Sequence, residues 1–283
     1  MSRTIFVPLV TALSWTVWPA MAAQPDPQAI VRRSIEVDEE SGSEILRNFI
    51  FVERSDKKDL DGDGHVKSRV LKTHEVVMHD GTPIRRLIAQ DDKPLSAEEQ
   101  RSQEEGFRKA IEARKRESAT ERQRRIRESE ERRTRYRRAI REIPDAFSFR
   151  LAGAERVGGR PAWVLDAEPR PGYRPKDRYS KLFTQLKGRL WIDQDDYHWA
   201  RAEAELLDSV WFGWILVRIA RGAKVKMDQM RLNDGLWVTK HLWYTASARV
   251  GLIMTYHVEE EFDYRDYRKV DLESLLAGNV SSH

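Results

Sequence analysis

The fold is decided by residues 188–270, which read GRLWIDQDDYHWARAEAELLDSVWFGWILVRIARGAKVKMDQMRLNDGLWVTKHLWYTASARVGLIMTYHVEEEFDYRDYRKV. β-Branched and aromatic residues are frequent in this stretch, and the turn sequences QDD, LNDG and RVG interrupt it at intervals. Antiparallel strands can be joined by such short turns, whereas parallel strands need long crossovers. The pattern therefore predicts a continuous antiparallel meander.

The strand predicted from Leu236 to Val250 carries large apolar groups on both of its sides. Strict alternation would place Leu236, Val238, Leu242, Tyr244, Ala246 and Val250 on one face and Trp237, His241, Trp243, Thr245 and Arg249 on the other. A strand with one solvated face should alternate apolar with polar residues. We therefore expect both faces to be covered, or one of them to line an apolar cavity.

The first 23 residues have the features of a cleaved secretory signal. Arg3 precedes an apolar run of about 15 residues, and small residues follow at Ala20 and Ala22. The alternative is an N-terminal membrane anchor, although the apolar run is shorter than the roughly 20 residues that a span needs. The chain has no cysteine, which excludes disulfides, thiol nucleophiles and a lipid anchor on cysteine. The sequence thus predicts a periplasmic protein.

Residues 24–94 are expected to hold a short helix followed by the first three strands of the sheet. Asp26 is a candidate N-cap for a helix to about Glu39, and Asp-Gly pairs mark the strand turns. The run from Asp59 to Gly64 matches the first half of a calcium-binding loop. The acid required at position 12 is replaced by Val70, and strands flank the run. A plain hairpin turn is therefore the favoured interpretation.

Residues 95–142 differ in character and predict one long charged helix. Ser96 and Glu99 form a capping box, Glu precedes a basic residue by four positions six times, and Pro144 is expected to end the helix. The segment contains 16 basic against 11 acidic residues. A solvated helix is the main interpretation, with an anionic membrane surface or an envelope protein as alternative partners. Interleaved glutamates and export argue against nucleic acid.

The remaining strands are expected between residues 143 and 270, with a tail at 271–283. A short helix is predicted from about Lys176 to Leu186, closed by Gly188 as its C-terminal glycine. The fold class is therefore α+β, mainly β.

Five short motifs resemble a known group of proteins. They are GRLWID (188–193), DGLWV (234–238), EEEFDYRDYRKV (259–270), LRNFIFVER (46–54) and RRLIAQDDKPLS (85–96). With the signal sequence, they resemble exported bacterial proteins of the outer-membrane lipoprotein carrier (LolA/LolB-like) superfamily, over most of residues 46–94 and 143–270. The resemblance implies a curved antiparallel half-barrel sheet with helices on its concave side over an apolar cavity. The long charged helical insertion and the absence of a lipid anchor depart from that pattern.

Catalytic motifs are not found. The histidines are scattered over different strands, and no metal-binding, nucleophile-elbow or phosphate-loop spacing occurs. We therefore expect neither an enzyme nor a cofactor or metal.

The tryptophans give a better indication of a site. All seven beyond the signal follow the charged helix. Pockets for apolar ligands are lined mainly by such groups. The candidate cavity residues are Trp191, Trp237, His241 and Trp243, with Trp211, Phe212 and Trp214 as a mobile rim where cargo enters and Gly213 as its hinge. Simple core packing is the alternative for any one of them.

The sequence as a whole predicts a periplasmic binding or carrier protein for acyl chains, and the resemblance implies a role in lipoprotein transport. The alternative is a non-catalytic envelope module that binds a protein partner through the charged helix.

Overall fold

The computed structural model describes residues 25–41, 48–176, 179–212, 217–250 and 254–269. The helices are α1 (Pro27–Ser41), α2 (Ala97–Lys115) and α3 (Ala119–Ala146), with a short 3-10 helix at Ser180–Gln185. The strands are β1 (Asn48–Leu60), β2 (Val66–His79), β3 (Thr82–Gln90), β4 (Lys93–Pro94), β5 (Phe147–Val157), β6 (Arg160–Pro169), β7 (Leu186–Asp193), β8 (Trp199–Leu206), β9 (Val210–Phe212), β10 (Val217–Ile219), β11 (Lys224–Arg231), β12 (Trp237–Val250) and β13 (Met254–Lys269). The predicted signal and tail lie outside the described residues.

All strands join one antiparallel sheet in the order β4, β3, β2, β1, β13, β12, β11, β8, β7, β6, β5, with β10 attached to β12 and β9 attached to β10. The strands β4 and β5 form its two ends and do not pair with each other, so the sheet is open. The predicted class, mainly β with an antiparallel meander, is confirmed. No helix in the described ranges is long and apolar enough to cross a bilayer.

The two faces of the sheet differ in chemistry. Directly opposite residues of antiparallel neighbours place their side chains on the same face. One face, called the charged face here, carries the row Arg54, Asp263, His241, Asp228 and Arg201. The other, called the apolar face, carries the row Leu165, Leu190, Ala202, Met227, Leu242 and Phe262.

Helix α1 and the end of α3 cover the apolar face over β5–β8. Ile30 and Val31 of α1 pack with Ile143 of α3 against Leu165 and Leu190. The indole nitrogen of Trp199 donates a 2.9 Å hydrogen bond to the Ser34 hydroxyl of α1. This cluster forms the main hydrophobic core of the described chain.

Helix α2 covers the opposite face at the other end of the sheet, a division that the sequence did not predict. Its Phe107 and Ile111 are buried against Ile50, Val77 and Ile84 of β1–β3. By cross-strand register, Ile50 lies on the charged face, four residues before Arg54 on the same strand. Among the described residues, the helices therefore flank the central strands rather than covering them.

The prediction of one continuous helix over residues 95–142 is wrong. The chain turns at residues 116–118, and α3 starts with its own capping box, in which Ser118 accepts from the Glu121 amide. Glu117 bridges the break, because Arg114 and Arg125 both bind its carboxylate. Pro144 does not end α3, which continues through it to Ala146.

The arginines of α3 explain the break. Arg122 and Arg125 bind Asp80 in the turn between β2 and β3, and the Ser129 hydroxyl donates to the Gly81 carbonyl. The turn at residues 116–118 lets α3 pass along this hairpin toward α1. Among the six predicted pairs within the segment, Glu105 with Lys109 and Glu112 with Arg116 lie within 4.0 Å.

The predicted helix from Lys176 to Leu186 is shorter than expected. Ser180–Gln185 forms a 3-10 helix, and Asp177 and Arg178 lie outside the described residues. Gly188 is not a helix cap. It lies within β7, where it pairs with Ala204.

Gly188 is required by a close backbone contact. A Cβ atom at this position would lie 2.7 Å from the carbonyl oxygen of Glu203. We expect Gly188→Ala to lower the free energy of unfolding by about 1–3 kcal/mol. A Cβ atom at Gly106 of α2 would meet no other atom within 4 Å. Gly106→Ala should therefore raise stability by up to about 1 kcal/mol. Urea unfolding of both variants measures the difference, and equal effects would contradict the close contact.

The run from Asp59 to Gly64 ends β1 and forms its turn into β2. The Asp61 carboxylate accepts from the backbone amides of Asp63 and His65, both at 2.9 Å. Hydrogen bonds from backbone amides are typical of a turn-stabilising aspartate. The arrangement agrees with the hairpin interpretation.

Candidate functional site

A β-bulge in β12 changes which predicted site residues lie together. Gln229 of β11 pairs with Thr239, but the next residue, Asp228, pairs with His241, so Lys240 is the extra residue. Gln229 and Asp228 are consecutive and point to opposite faces. Trp237 therefore lies on the apolar face, whereas His241 and Trp243 lie on the charged face. The prediction that the three share one face is wrong, because strict alternation does not hold across a bulge.

The central part of the apolar face presents half-buried apolar side chains. We call this surface the apolar strip, and it comprises Met227, Leu242, Tyr244, Phe262 and Tyr264. The first four belong to none of the buried hydrophobic clusters formed by the described residues. The strip lies between the part of the sheet covered by α1 and the part that packs around Phe51.

Aromatic contacts order one end of the strip. The rings of Phe262 and Tyr264 stack with centroids 6.2 Å apart, and Tyr264 meets Phe51 edge to face at 6.0 Å. Burial raises the pKa of Tyr264 to about 12. Burial and a hydrogen bond to Glu260 likewise raise the pKa of Tyr244. Both phenols thus stay neutral in the physiological range, as an apolar binding surface requires.

Small residues continue the apolar face from the strip toward β6. Ala167, Gly188 and Ala204 occupy directly opposite positions, followed by Val225, which pairs with Tyr244. These four residues also border an open groove of about 410 Å³, whose other eight lining residues are charged and lie on the charged face. The row of small side chains gives an extended ligand a path that leads away from the strip.

Over its central strands, the charged face is internally neutralised. Arg201 binds Asp228 at 2.5 Å, and the His241 imidazole lies 2.9 Å from Asp263. Arg189 and Lys226 likewise pair with carboxylates on neighbouring strands. Cross-strand pairs of opposite charge stabilise a solvated sheet surface. This face therefore offers little contact for an acyl chain.

Trp191 and Trp237 are structural in their immediate contacts. Trp191 is 5% exposed, packs with Ala162 and Val164, and donates to Glu155 at 2.9 Å. Trp237 is also 5% exposed and donates to Asp196 at 3.0 Å. Neither lines the 410 Å³ groove. Their role as ligand-lining residues stays a prediction.

His241 and Trp243 are half-buried on the charged face. The side-chain atoms of His241, Glu261 and Asp263 lie within 4.8 Å of one another. No sequence spacing singles out this group, because it combines one residue of β12 with two of β13. Trp243 lies opposite Glu261 and Lys226.

The predicted rim lies partly outside the described residues. Trp211 is 46% exposed, and the Arg218 guanidinium lies 5.6 Å from its ring centroid. Phe212 ends β9 and pairs with Val217 through the backbone. Trp214, with the proposed hinge Gly213, lies outside the described residues.

The strip includes residues that sequence reasoning misses. Met227, Phe262 and Tyr264 are not among the predicted site residues, although alternation places Leu242 and Tyr244 together on one face. The available signal is the alternation in β13, where Phe262 and Tyr264 interrupt a run of charged residues. Such isolated aromatic positions on an otherwise charged strand mark its apolar side.

Helix α3 presents an arginine-rich surface. It contains ten arginines and no lysine against six acidic residues. Arg127, Arg135 and Arg138 are exposed and line an open groove of about 380 Å³ with Glu130 and Glu131. Within the described ranges these three arginines have no carboxylate within 4.0 Å, so their charge is available to a partner.

The geometry defines an open antiparallel half-barrel sheet, and the described helices cover its apolar face only in part. No protein-family model matches the sequence, and no curated protein matches it. Several solved structures are similar to this chain, and some of them are described as LolA superfamily or lipoprotein-sorting proteins. A domain described as outer membrane lipoprotein-sorting from Vibrio parahaemolyticus matches with a TM-score of 0.32 and 11% identity, over 88% of this chain and 98% of that one.

Two other similar structures are a LolA superfamily protein from Nitrosomonas europaea and the MucA/MucB complex of Pseudomonas aeruginosa. The first has a TM-score of 0.29 and 11% identity, covering 88% of this chain and 95% of that one. The second has a TM-score of 0.24 and 11% identity, covering 87% and 99%. Similarities of this size leave ligand and partner to be argued from the chain's own residues.

Proposed function

We propose that the protein is a periplasmic binding protein that carries an acyl chain, from a lipid or a lipoprotein, on the apolar strip. The observation that supports it most directly is that Leu242, Tyr244 and Phe262 are half-buried, on a face that α1 and α3 cover only over β5–β8. Binding would be by burial alone, without covalent chemistry. The signal-like N-terminus supports a periplasmic location.

The energetics of such a site are favourable for long chains. Burial contributes about 0.8 kcal/mol per CH₂, so ten methylenes would contribute about 8 kcal/mol before the cost of association. The strip and the adjoining row of small residues supply an elongated surface of the required kind. Their neutral phenols and small side chains introduce no buried charge.

Two measurements on the purified mature chain test the proposal: the lipid that co-purifies with it and its binding of an added fatty acid. Organic extraction followed by mass spectrometry should recover lipid. Titration with dibromostearic acid should then quench tryptophan emission to saturation, because bromine on a bound chain quenches nearby indoles. An extract free of lipid together with no saturable quenching would contradict acyl-chain binding.

A second candidate function rests on the arginine surface of α3. Arg127, Arg135 and Arg138 would bind an acidic envelope protein, which is the partner class that the alternative interpretation of the charged segment predicts. Deleting residues 96–142 would uncover the Ile50 and Val77 core under α2, so surface substitutions give a cleaner test.

Reversing the charge of Arg127, Arg135 and Arg138 together should remove partner co-purification and leave acyl-chain binding unchanged. The three side chains make no ion pair within the described ranges, so stability should change little. Pull-down from envelope extract measures the first effect, and bromine quenching measures the second. Arg265→Glu on β13 is the control, and equal loss in the control would point to a general charge effect.

A further inference from the structure

Two arginines face each other at the end of the sheet. Arg218 of β10 and Arg249 of β12 are directly opposite, and Trp211 and Thr255 continue the same row on the neighbouring strands. Like charges in directly opposite positions destabilise an antiparallel pair. In the described part of the chain, no carboxylate lies within 4.0 Å of either guanidinium. The pair contrasts with the charged face elsewhere, where opposite charges alternate.

Arg218 also has an unmet hydrogen-bonding group. Its Nη2 donates to the Ser209 hydroxyl at 2.9 Å, and its guanidinium lies over the Trp211 ring. Its Nε is buried and has no hydrogen-bond partner among the described residues. A buried donor without a partner destabilises the fold unless a ligand supplies an acceptor. An anionic ligand would compensate both this donor and the like-charge pair.

A pocket of about 240 Å³ brings the remaining groups together. It is lined by Arg218, Ala220, Ser247, Ala248, Arg249, Thr255 and His257. The Ser247 hydroxyl and the His257 Nδ1 lie 2.6 Å apart. When that hydroxyl donates to Nδ1, the neutral imidazole carries its proton on Nε2 and is a donor. The pocket thus combines two guanidiniums, an imidazole and two hydroxyls, and none of its lining residues is acidic.

We propose that Arg218 and Arg249, with Ser247, Thr255 and His257, form a binding site for a phosphate group. Planar guanidiniums bind phosphate through paired, charge-assisted hydrogen bonds. The site is separate from the apolar strip, because these five residues share the charged face. The phosphate belongs either to a lipid head group or to a free phosphate, and the chemistry that recognises it is the same.

Calorimetric titration of the full mature chain with two probes tests the site. The probes are inorganic phosphate and dihexanoyl phosphatidic acid, which is monomeric in water. Saturable binding of inorganic phosphate assigns the site to free phosphate, and binding of phosphatidic acid alone assigns it to a lipid head group. Either result supports the proposal if it depends on the two arginines. Failure of both probes to bind overturns it.

Variants of the two arginines test whether phosphate binding depends on them. Arg249→Gln should weaken binding of the competent probe at least tenfold, and Arg218→Gln combined with Arg249→Gln should abolish it. Arg221→Gln is the matched control, because it removes a charge from the neighbouring turn without touching the pocket, and its affinity should stay within twofold. Equal affinities in the wild type and the double variant would refute the site. Thermal unfolding confirms that each variant is folded.

The outcome is distinguishable from that of the acyl-chain proposal. Quenching by dibromostearic acid reports on the apolar strip and should be unchanged in the Arg218 and Arg249 variants. Loss of phosphate binding with intact quenching assigns the two functions to different faces. Absent quenching with intact phosphate binding would contradict the carrier function and leave the phosphate site standing.

Discussion

Leu242→Glu and Phe262→Glu should each weaken acyl-chain binding by about thirtyfold or more. Each change removes the burial of a large apolar side chain, worth about 2 kcal/mol, and 1.4 kcal/mol corresponds to a tenfold change in affinity. A carboxylate on the strip would additionally have to be desolvated beside the acyl chain. Bromine quenching titrations with the wild type and both variants measure the loss.

Thr245→Glu is the matched control for this prediction. Thr245 lies on β12 as Leu242 does, but on the charged face, where it pairs with Lys224 and Glu259. The same new charge there should leave affinity within about twofold. Because Leu242 and Phe262 are half-buried, thermal unfolding must show that the variants remain folded at the assay temperature. Folded variants that bind with wild-type affinity would place the ligand elsewhere.

The apolar strip illustrates how far alternation in a sequence can be followed. The positions of Leu242 and Tyr244 on one face of β12 follow from simple alternation, because the strand is regular after His241. Trp237 could not be assigned in this way. The bulge at Lys240 transfers it to the other face, and a bulge is set by the pairing with β11 rather than by β12 alone.

The helices show a different limit to prediction from the sequence. The sequence Ser118-Ala119-Thr120-Glu121 is a capping box and marks the start of α3, as Ser96 and Glu99 mark that of α2. Uninterrupted helix-forming residues on either side conceal it. The placement of α2 and α1 on opposite faces depends on Phe107 and Ile30 meeting distant strands, and no local pattern encodes such contacts.

The phosphate pocket, too, could not be predicted from the sequence. Arg218 and Arg249 are separated by 30 intervening residues, and only the pairing of β10 with β12 brings them face to face. In the sequence, His257 is one of several scattered histidines. Its hydrogen bond to Ser247 arises from the β12–β13 register. Functional groups assembled across strands in this way carry no fixed spacing along the chain.

Removing the charge of Arg160 should destabilise the fold by about 3–5 kcal/mol, the cost of leaving a buried charge without its partner. The Asp193 side chain is fully buried, and Arg160 binds it through Nε at 2.6 Å and Nη2 at 2.8 Å. The amides of Asp195 and Asp196 donate to the same carboxylate and fix the turn from β7 to β8. Urea unfolding of Arg160→Gln measures the loss.

Lys187→Gln is the control for this prediction. The exposed ion pair of Lys187 with Glu205 should contribute less than about 1 kcal/mol.

The pH dependence of stability provides an independent check on the same pair. Burial alone would raise the pKa of Asp193, but the hydrogen bonds from Arg160 and the two amides outweigh it and hold the pKa below its usual range. A carboxylate with a lowered folded pKa stabilises the protein above its unfolded pKa of about 3.9 and loses that contribution as the pH falls through the folded value. Asp193→Asn should therefore be less stable than the wild type at neutral pH, and the difference should shrink below about pH 4. A difference that stays constant between pH 7 and pH 3 would show that the ionised carboxylate does not stabilise this turn.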